Sequence, residues 1–327
     1  MINDKASKKT FIILLTAIVT AVVAVALRTV NFFLFFDSEL GYYTTGAILP
    51  VVFNALLLAT VIFFTLFAIL GIGKGTVIYR SPSRLSKALL FIPTMLTVTL
   101  AVHDLYLFYM SSVAELTDIA TDGPAKTVTG LLLMLVSAFS GVYFISDLLK
   151  PKTATKIELN ILTLIRLTVM LGVSYFDQNV QMNAPDKILF GIACVAAMLF
   201  TVSELKLIVG TARKWLYTLS AALTLLLCAT ASIPSIIAYH AGRLPESNGL
   251  YFEYYFLLAL AVYAAIRLFT SISSKAGTDA LYASAETDIN EDIPVTDKDE
   301  ANTVASDSNT PNEPETTDTE SNTSDSE

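Results

Sequence analysis

"TFIILLTAIVTAVVAVALRTVNFFLFF", residues 10–36, is apolar throughout except for a few threonines, one asparagine and Arg28. Roughly 20 such residues cross a hydrocarbon core of about 30 Å at 1.5 Å per residue, so the stretch reads as a membrane-spanning helix. Seven more segments of comparable length follow, near 46–72, 86–110, 126–149, 157–176, 187–209, 214–239 and 250–271. Composition agrees: the 327-residue chain is 54% hydrophobic and only 15% charged, against about 25% charged for an average soluble domain. The predicted fold is all-α: a polytopic membrane bundle of eight transmembrane helices over 10–275, with a short N-terminal segment at 1–9 and an acidic tail at 276–327.

The net charge of −8 has two opposed parts. From Ala276 onward there are fifteen Asp or Glu and one Lys, a charge of −14, which leaves +6 for the rest. The tail is also rich in Ser, Thr, Asn and Pro and nearly devoid of apolar residues after Tyr282. Such a segment buries too little surface to offset its ordering entropy, so disorder is expected. It reads either as an electrostatic or phosphorylatable tether for a cytoplasmic protein partner or as a solvated spacer.

Basic residues gather in alternate connections. Lys5, Lys8 and Lys9 precede the first span; Lys74, Arg80, Arg84 and Lys87 follow the second; Lys150, Lys152 and Lys156 follow the fourth. Lys206, Arg213 and Lys214 follow the sixth, and Arg267 and Lys275 close the eighth. Cytoplasmic loops carry the Lys and Arg excess, which puts both termini in the cytoplasm. The opposite loops, 35–43, 115–124, 176–186 and 240–249, are acidic and flanked by Phe32, Phe33, Tyr106, Tyr109, Tyr175, Tyr251, Tyr254 and Tyr255, as an interfacial aromatic belt would be. Trp215 marks the inner interface. Lys8, Lys9 and Ala24-Val25-Ala26 also fit a signal peptide with a small-residue cleavage site, but the apolar run continues to Phe36, longer than a signal core, and favours a retained first span.

Residues 28–49, "RTVNFFLFFDSELGYYTTGAIL", and 166–189, "RLTVMLGVSYFDQNVQMNAPDKIL", share an arginine, a Thr-Val, a Phe-Asp and an Ile-Leu. Arg28 matches Arg166 and Asp37 matches Asp177. A duplication would make 10–150 and 156–275 a 4+4 parallel repeat, since four spans per copy preserve the direction of entry. Shared composition at helix ends is the alternative.

Arg28 and Arg166 are the sharpest local anomalies, because a charge inside the bilayer costs at least about 2.5 kcal/mol and normally faces the bundle interior with a partner. Asp37 and Asp177 lie too far along the same helices, so another helix must supply that partner. His103-Asp104 in the third span is the expected source, at a depth Arg28 shares. The four residues form either a structural ion-pair network or a proton-relay or substrate site. Glu204, with Lys206 two residues on, reads as an interfacial charge, as do Asp147 near Lys150 and Glu158 near Lys156. Glu253, at the start of the eighth span, is a weaker site candidate, as are Glu204, Asp37 and Asp177. Asp37, Glu39, Glu115, Asp118 and Asp122 read as solvated loop acids.

No HExxH, GxSxG, GxxxxGK[ST] or GxGxxG motif is present. "GIGKG" at 71–75 reads as a turn. The chain has two cysteines and two histidines; Cys194 and Cys228 read as small packing residues, and His240 lies at the outer interface. Ala193 with Ala197, and Ala261 with Ala265, suit close helix packing. No catalytic residue, cofactor, metal or nucleic-acid partner is expected. At 175–200 and 37–49 the chain resembles uncharacterised multi-pass membrane proteins of Clostridia-type (Firmicutes) bacteria, over the spans and not the tail. The resemblance implies a single bacterial membrane and carries over no functional residue. Two functions are expected: a non-enzymatic membrane sensor, scaffold or assembly protein, or a small-solute or proton-coupled transporter with its site around Arg28, Arg166, His103 and Asp104.

Overall fold

The computed structural model describes residues 5–37, 42–44, 46–72, 75–77, 83–116, 124–149, 152–176, 183–243 and 253–273. The chain divides into two units, Met1–Lys275 and Ala276–Glu327, and the second, the acidic tail, lies outside the described residues. In the first unit, α1 (Lys5–Leu34) leads through a two-residue hairpin, β1 (Phe36–Asp37) and β2 (Tyr42–Tyr43), into α2 (Ile48–Gly71). Then come α3 (Arg84–Leu89), α4 (Phe91–Leu116), α5 (Pro124–Leu149), α6 (Thr153–Phe176), α7 (Pro185–Ile208), α8 (Lys214–His240) and α9 (Glu253–Ser273).

The eight-span architecture holds. Seven helices are long and apolar enough to cross a membrane, and the eighth, α5, has 26 residues, a described apolar run over Leu135–Ser146, and neighbours α4 and α6. The exterior is apolar: Ile48, Val51, Leu58, Leu66 and Leu70 of α2 are all more than half exposed. A soluble monomer rarely exposes more than a few hundred Å² of contiguous apolar surface, so this face belongs against lipid.

The third span departs from a single helix. Pro93 supplies no N–H, so the carbonyl of Leu89 cannot accept from it in the usual i→i−4 ladder. The chain breaks at Leu90 between α3 and α4, and Ser83 caps α3 by accepting from the Ser86 amide. Pro234, inside α8, likewise frees the carbonyl of Thr230.

Helix α8 is the central element, packed against α1, α2, α7 and α9. In its apolar window 78% of residues are buried, against 22% for α2, which sits at the rim. Small residues make the centrality possible: Ala221, Ala222, Cys228 and Ala231 are fully buried, and so are Ala193 and Ala197 on α7. Backbones come close enough for Thr224 Oγ1 to donate to the Ala196 carbonyl at 2.9 Å, and for the Cys228 thiol to point at the Ala193 carbonyl. Lipid supplies no hydrophobic force between helices, so such packing and hydrogen bonding carry the association. The two halves are packed differently: α4, the repeat counterpart of α8, makes its principal contacts with α5 and α9.

At one end, the α1–α2 hairpin pairs Phe36 with Tyr43 and Asp37 with Tyr42; Phe32, Phe36 and Tyr43 form a ring cluster. Tyr106, Tyr109 and Tyr175 are exposed there as expected of an aromatic belt, but Phe32 and Tyr254 turn inward and are 1% exposed. At the opposite end Thr76 and Arg213 bridge the α2–α3 and α7–α8 connections.

Candidate functional site

Both intramembrane arginines are buried and paired, with different partners. Arg28, 1% exposed, forms a salt bridge with Asp186 in the first turn of α7. Its second nitrogen donates to the Thr230 carbonyl at 3.1 Å, the one that Pro234 releases from the α8 ladder. The Tyr254 hydroxyl donates to Asp186 at 2.9 Å, and Ser235 Oγ approaches it at 3.4 Å. The Phe32 ring centroid lies 5.2 Å from the guanidinium, within cation–π range. Tyr43 sits beside Arg28, and burial raises its phenol above the usual value, outweighing the opposite pull of the arginine. Tyr43 is therefore a neutral hydrogen-bonding group at physiological pH.

Arg166, 0% exposed, takes two carboxylates: Glu253 of α9 at 2.6 Å and Asp104 of α4 at 3.3 Å. Ser137 of α5 donates to Asp104 at 2.6 Å, and His103 Nδ1 lies 3.7 Å from the same carboxylate. Asp104 thus serves Arg166, not Arg28. Asp104, the acid expected to answer a membrane arginine, reaches Arg166 and misses Arg28, because α1 packs on α8 and α9, while α4 packs on α5 and α9. Asp186, the last residue of the acidic loop expected over 176–186, instead follows Pro185 into the buried first turn of α7.

Glu204 corrects a second expectation. It is not an interfacial charge: it is 1% exposed and paired with Arg267 Nε at 2.9 Å. Tyr217 donates to the same carboxylate, Tyr143 and Tyr263 approach it at 3.4 Å, and Asn160 donates to Tyr143 at 2.9 Å. One acid thus gathers residues from α5, α6, α8 and α9. Arg267, counted by sequence with the inner loop charges, is 4% exposed. Lys206 in the same turn masked the difference, because proximity in sequence does not place two side chains on one helix face.

Helix α9 joins all three clusters through Glu253, Tyr254, Tyr263 and Arg267; at its start Glu253 holds Arg166 directly and Tyr254 holds Asp186, the partner of Arg28. Asp37 is half-buried on β1, and Glu158 is exposed as expected. Asp177, Glu39, Asp118 and Asp122 lie outside the described residues, as do the side chains of Glu115 and Asp147. Cys194 and Cys228 are free and buried. Arg28 Nε and both amide atoms of the fully buried Asn31 have no hydrogen-bond partner among the described residues. In comparisons with family models, curated proteins and solved structures, none matches the chain.

Proposed function

We propose that the protein is a non-enzymatic integral membrane protein, a sensor, scaffold or assembly platform, in the plasma membrane of a bacterium with both termini in the cytoplasm. The observation that carries this reading is the burial of Arg28, Arg166 and Glu204, each at 1% exposure or less and each answered by an ion-pair partner on another helix. Such buried pairs fix helix register; a buried pair also exacts desolvation, so its role is specificity as much as stability. The acidic tail is the natural contact for a cytoplasmic protein partner, by charge and by its lack of a core. Deleting residues 276–327 is expected to remove a specific partner from the protein purified out of native membranes. An unchanged set of partners would contradict the reading.

One observation favours proton-coupled transport as a second reading. Arg166 faces two carboxylates, so the cluster carries one more negative charge than positive unless a proton resides there, and His103 lies beside Asp104. Under this reading Glu253→Gln abolishes pH-driven solute uptake into proteoliposomes while the protein stays folded; uptake that is absent in the wild type or indifferent to the variant contradicts it.

A further inference from the structure

Arg166 ties α6 to two helices that are not its principal neighbours. Helix α6 packs chiefly on α5 and α7, yet the guanidinium reaches Glu253 of α9 at 2.6 Å and Asp104 of α4 at 3.3 Å. We propose that this cluster binds one exchangeable proton, and that losing it as the pH rises weakens the junction of α4, α6 and α9, so that the junction responds to pH.

Charge balance calls for the proton. Arg166, Asp104 and Glu253 are all buried, and two carboxylates against one guanidinium leave a net charge of −1. A buried charge with nothing to balance it is normally cancelled by taking up a proton, and two carboxylates that share a site do not both ionise readily. Among the described residues, the surrounding helices do not supply the missing positive charge. Ser137 of α5 is neutral and donates to Asp104 at 2.6 Å. Arg28 of α1 and Asp186 of α7 answer each other, and Cys194, the α7 group within electrostatic reach of Glu253, is a thiol. Lys187 opens onto the α6–α7 groove beside Ser174, eight residues beyond Arg166. On α8, His240 meets Tyr255 at 3.2 Å and Lys214 stands at the opposite end of the helix. Lys126 lies eleven residues along α5 from Ser137, roughly 16 Å of rise. The positive end of α9, where Glu253 sits, is worth about half a charge. What remains is His103, whose Nδ1 is 3.7 Å from Asp104. The proton therefore belongs to His103, Asp104 and Glu253 as a set.

Release breaks one O–H or N–H bond in that set and leaves the electron pair on the cluster, whose charge passes from 0 to −1. The proton leaves by way of His103, whose side chain is 18% exposed while both acids are buried. The two carboxylates then repel each other across Arg166, at a junction where α6 has little other packing to hold it to α4 and α9. Loosening reaches further, because α9 also holds Asp186 through Tyr254 and Glu204 through Arg267. Use of this device as a signal rests on the sensor reading above; the bound proton does not, and no solute path is needed for it. A cluster with fewer charges resembles the proton-loaded state, so it keeps the junction and loses only the response.

The test is equilibrium unfolding of the full-length protein in mixed detergent micelles over about pH 5–9, above the titration of a free carboxyl. The native state keeps a proton that the unfolded chain has given up, so stability falls as pH rises, by up to about tenfold in the folded-to-unfolded ratio per pH unit. That slope should appear in the wild type and be absent from Glu253→Gln and from Asp104→Asn, in each of which one acid answers Arg166 and no proton is required; either variant suffices if the other fails to fold. Glu158→Gln, which removes an exposed acid from the same helix as Arg166, should keep the wild-type slope. Deleting residues 276–327, which tests the sensor reading through its partners, should leave the difference between wild type and Glu253→Gln in place, so the two ideas can fail separately. A wild-type slope no steeper than that of Glu253→Gln and Asp104→Asn, a slope lost equally in Glu158→Gln, or a difference that disappears with the tail would overturn the proposal.

Discussion

Arg28 and Arg166 are held by acids they do not neighbour in sequence, and the cost of breaking each pair is the most direct residue-level expectation. Arg28→Met alone strands the Asp186 carboxylate in a buried site, which for such pairs costs about 3–5 kcal/mol. Thermal unfolding in detergent should show that loss, and Arg28→Met with Asp186→Leu should recover most of it, because an apolar replacement of both partners removes the desolvation penalty. Glycine gives a second contrast. A Cβ on Gly141 of α5 would stand 3.0 Å from Thr97 Oγ1 of α4, whereas one on Gly172 of α6 meets nothing within 4 Å. Gly141→Ala is expected to lower the melting temperature, and Gly172→Ala to raise it slightly, since alanine gains about 0.5–1 kcal/mol over glycine inside a helix. The sequence made the two arginines legible as anomalies, since a charge within an apolar run needs no structure to be noticed. Their partners were legible only in part: Asp104, the expected acid, meets Arg166 and not Arg28, while Asp186 was hidden by a loop-like stretch ending in Pro185. The separate pairing of Glu204 with Arg267 was hidden by the nearby Lys206.

At the scale of elements, the eight helices were readable from hydropathy because a span must be apolar along its whole length. The break between α3 and α4 and the centrality of α8 were not. Both depend on what a proline releases and on which helix has small enough side chains to be surrounded. Pro234 ties the two together, because the Thr230 carbonyl it frees accepts from Arg28. Pro234→Ala restores an N–H that competes with Arg28 for that carbonyl. Although alanine is intrinsically the better helix former by about 3 kcal/mol, the variant is expected to melt lower than wild type. A higher melting temperature would show that the freed carbonyl contributes nothing to holding Arg28.

For the whole molecule, an even number of spans puts both ends of the membrane unit on one side. In the proposed topology that side, where the alternating lysines and arginines gather, is the cytoplasm. With Cys194 and Cys228 replaced by alanine, an impermeant thiol reagent added to whole cells should label a cysteine at Arg243 and spare one at Lys8; the reverse pattern would invert the topology. The central claim is that the intramembrane charges hold this bundle together and do not handle a substrate. The measurement that tests it most directly is membrane abundance together with growth and metabolite profile in a deletion strain carrying Arg166→Met, or the charge-free triple variant Arg166→Met, Asp104→Asn and Glu253→Gln. The account predicts that the single variant is depleted from the membrane by its unpaired buried acids, and that the triple variant regains both abundance and the wild-type profile. A triple variant that accumulates normally yet leaves the strain with the deletion profile would contradict it.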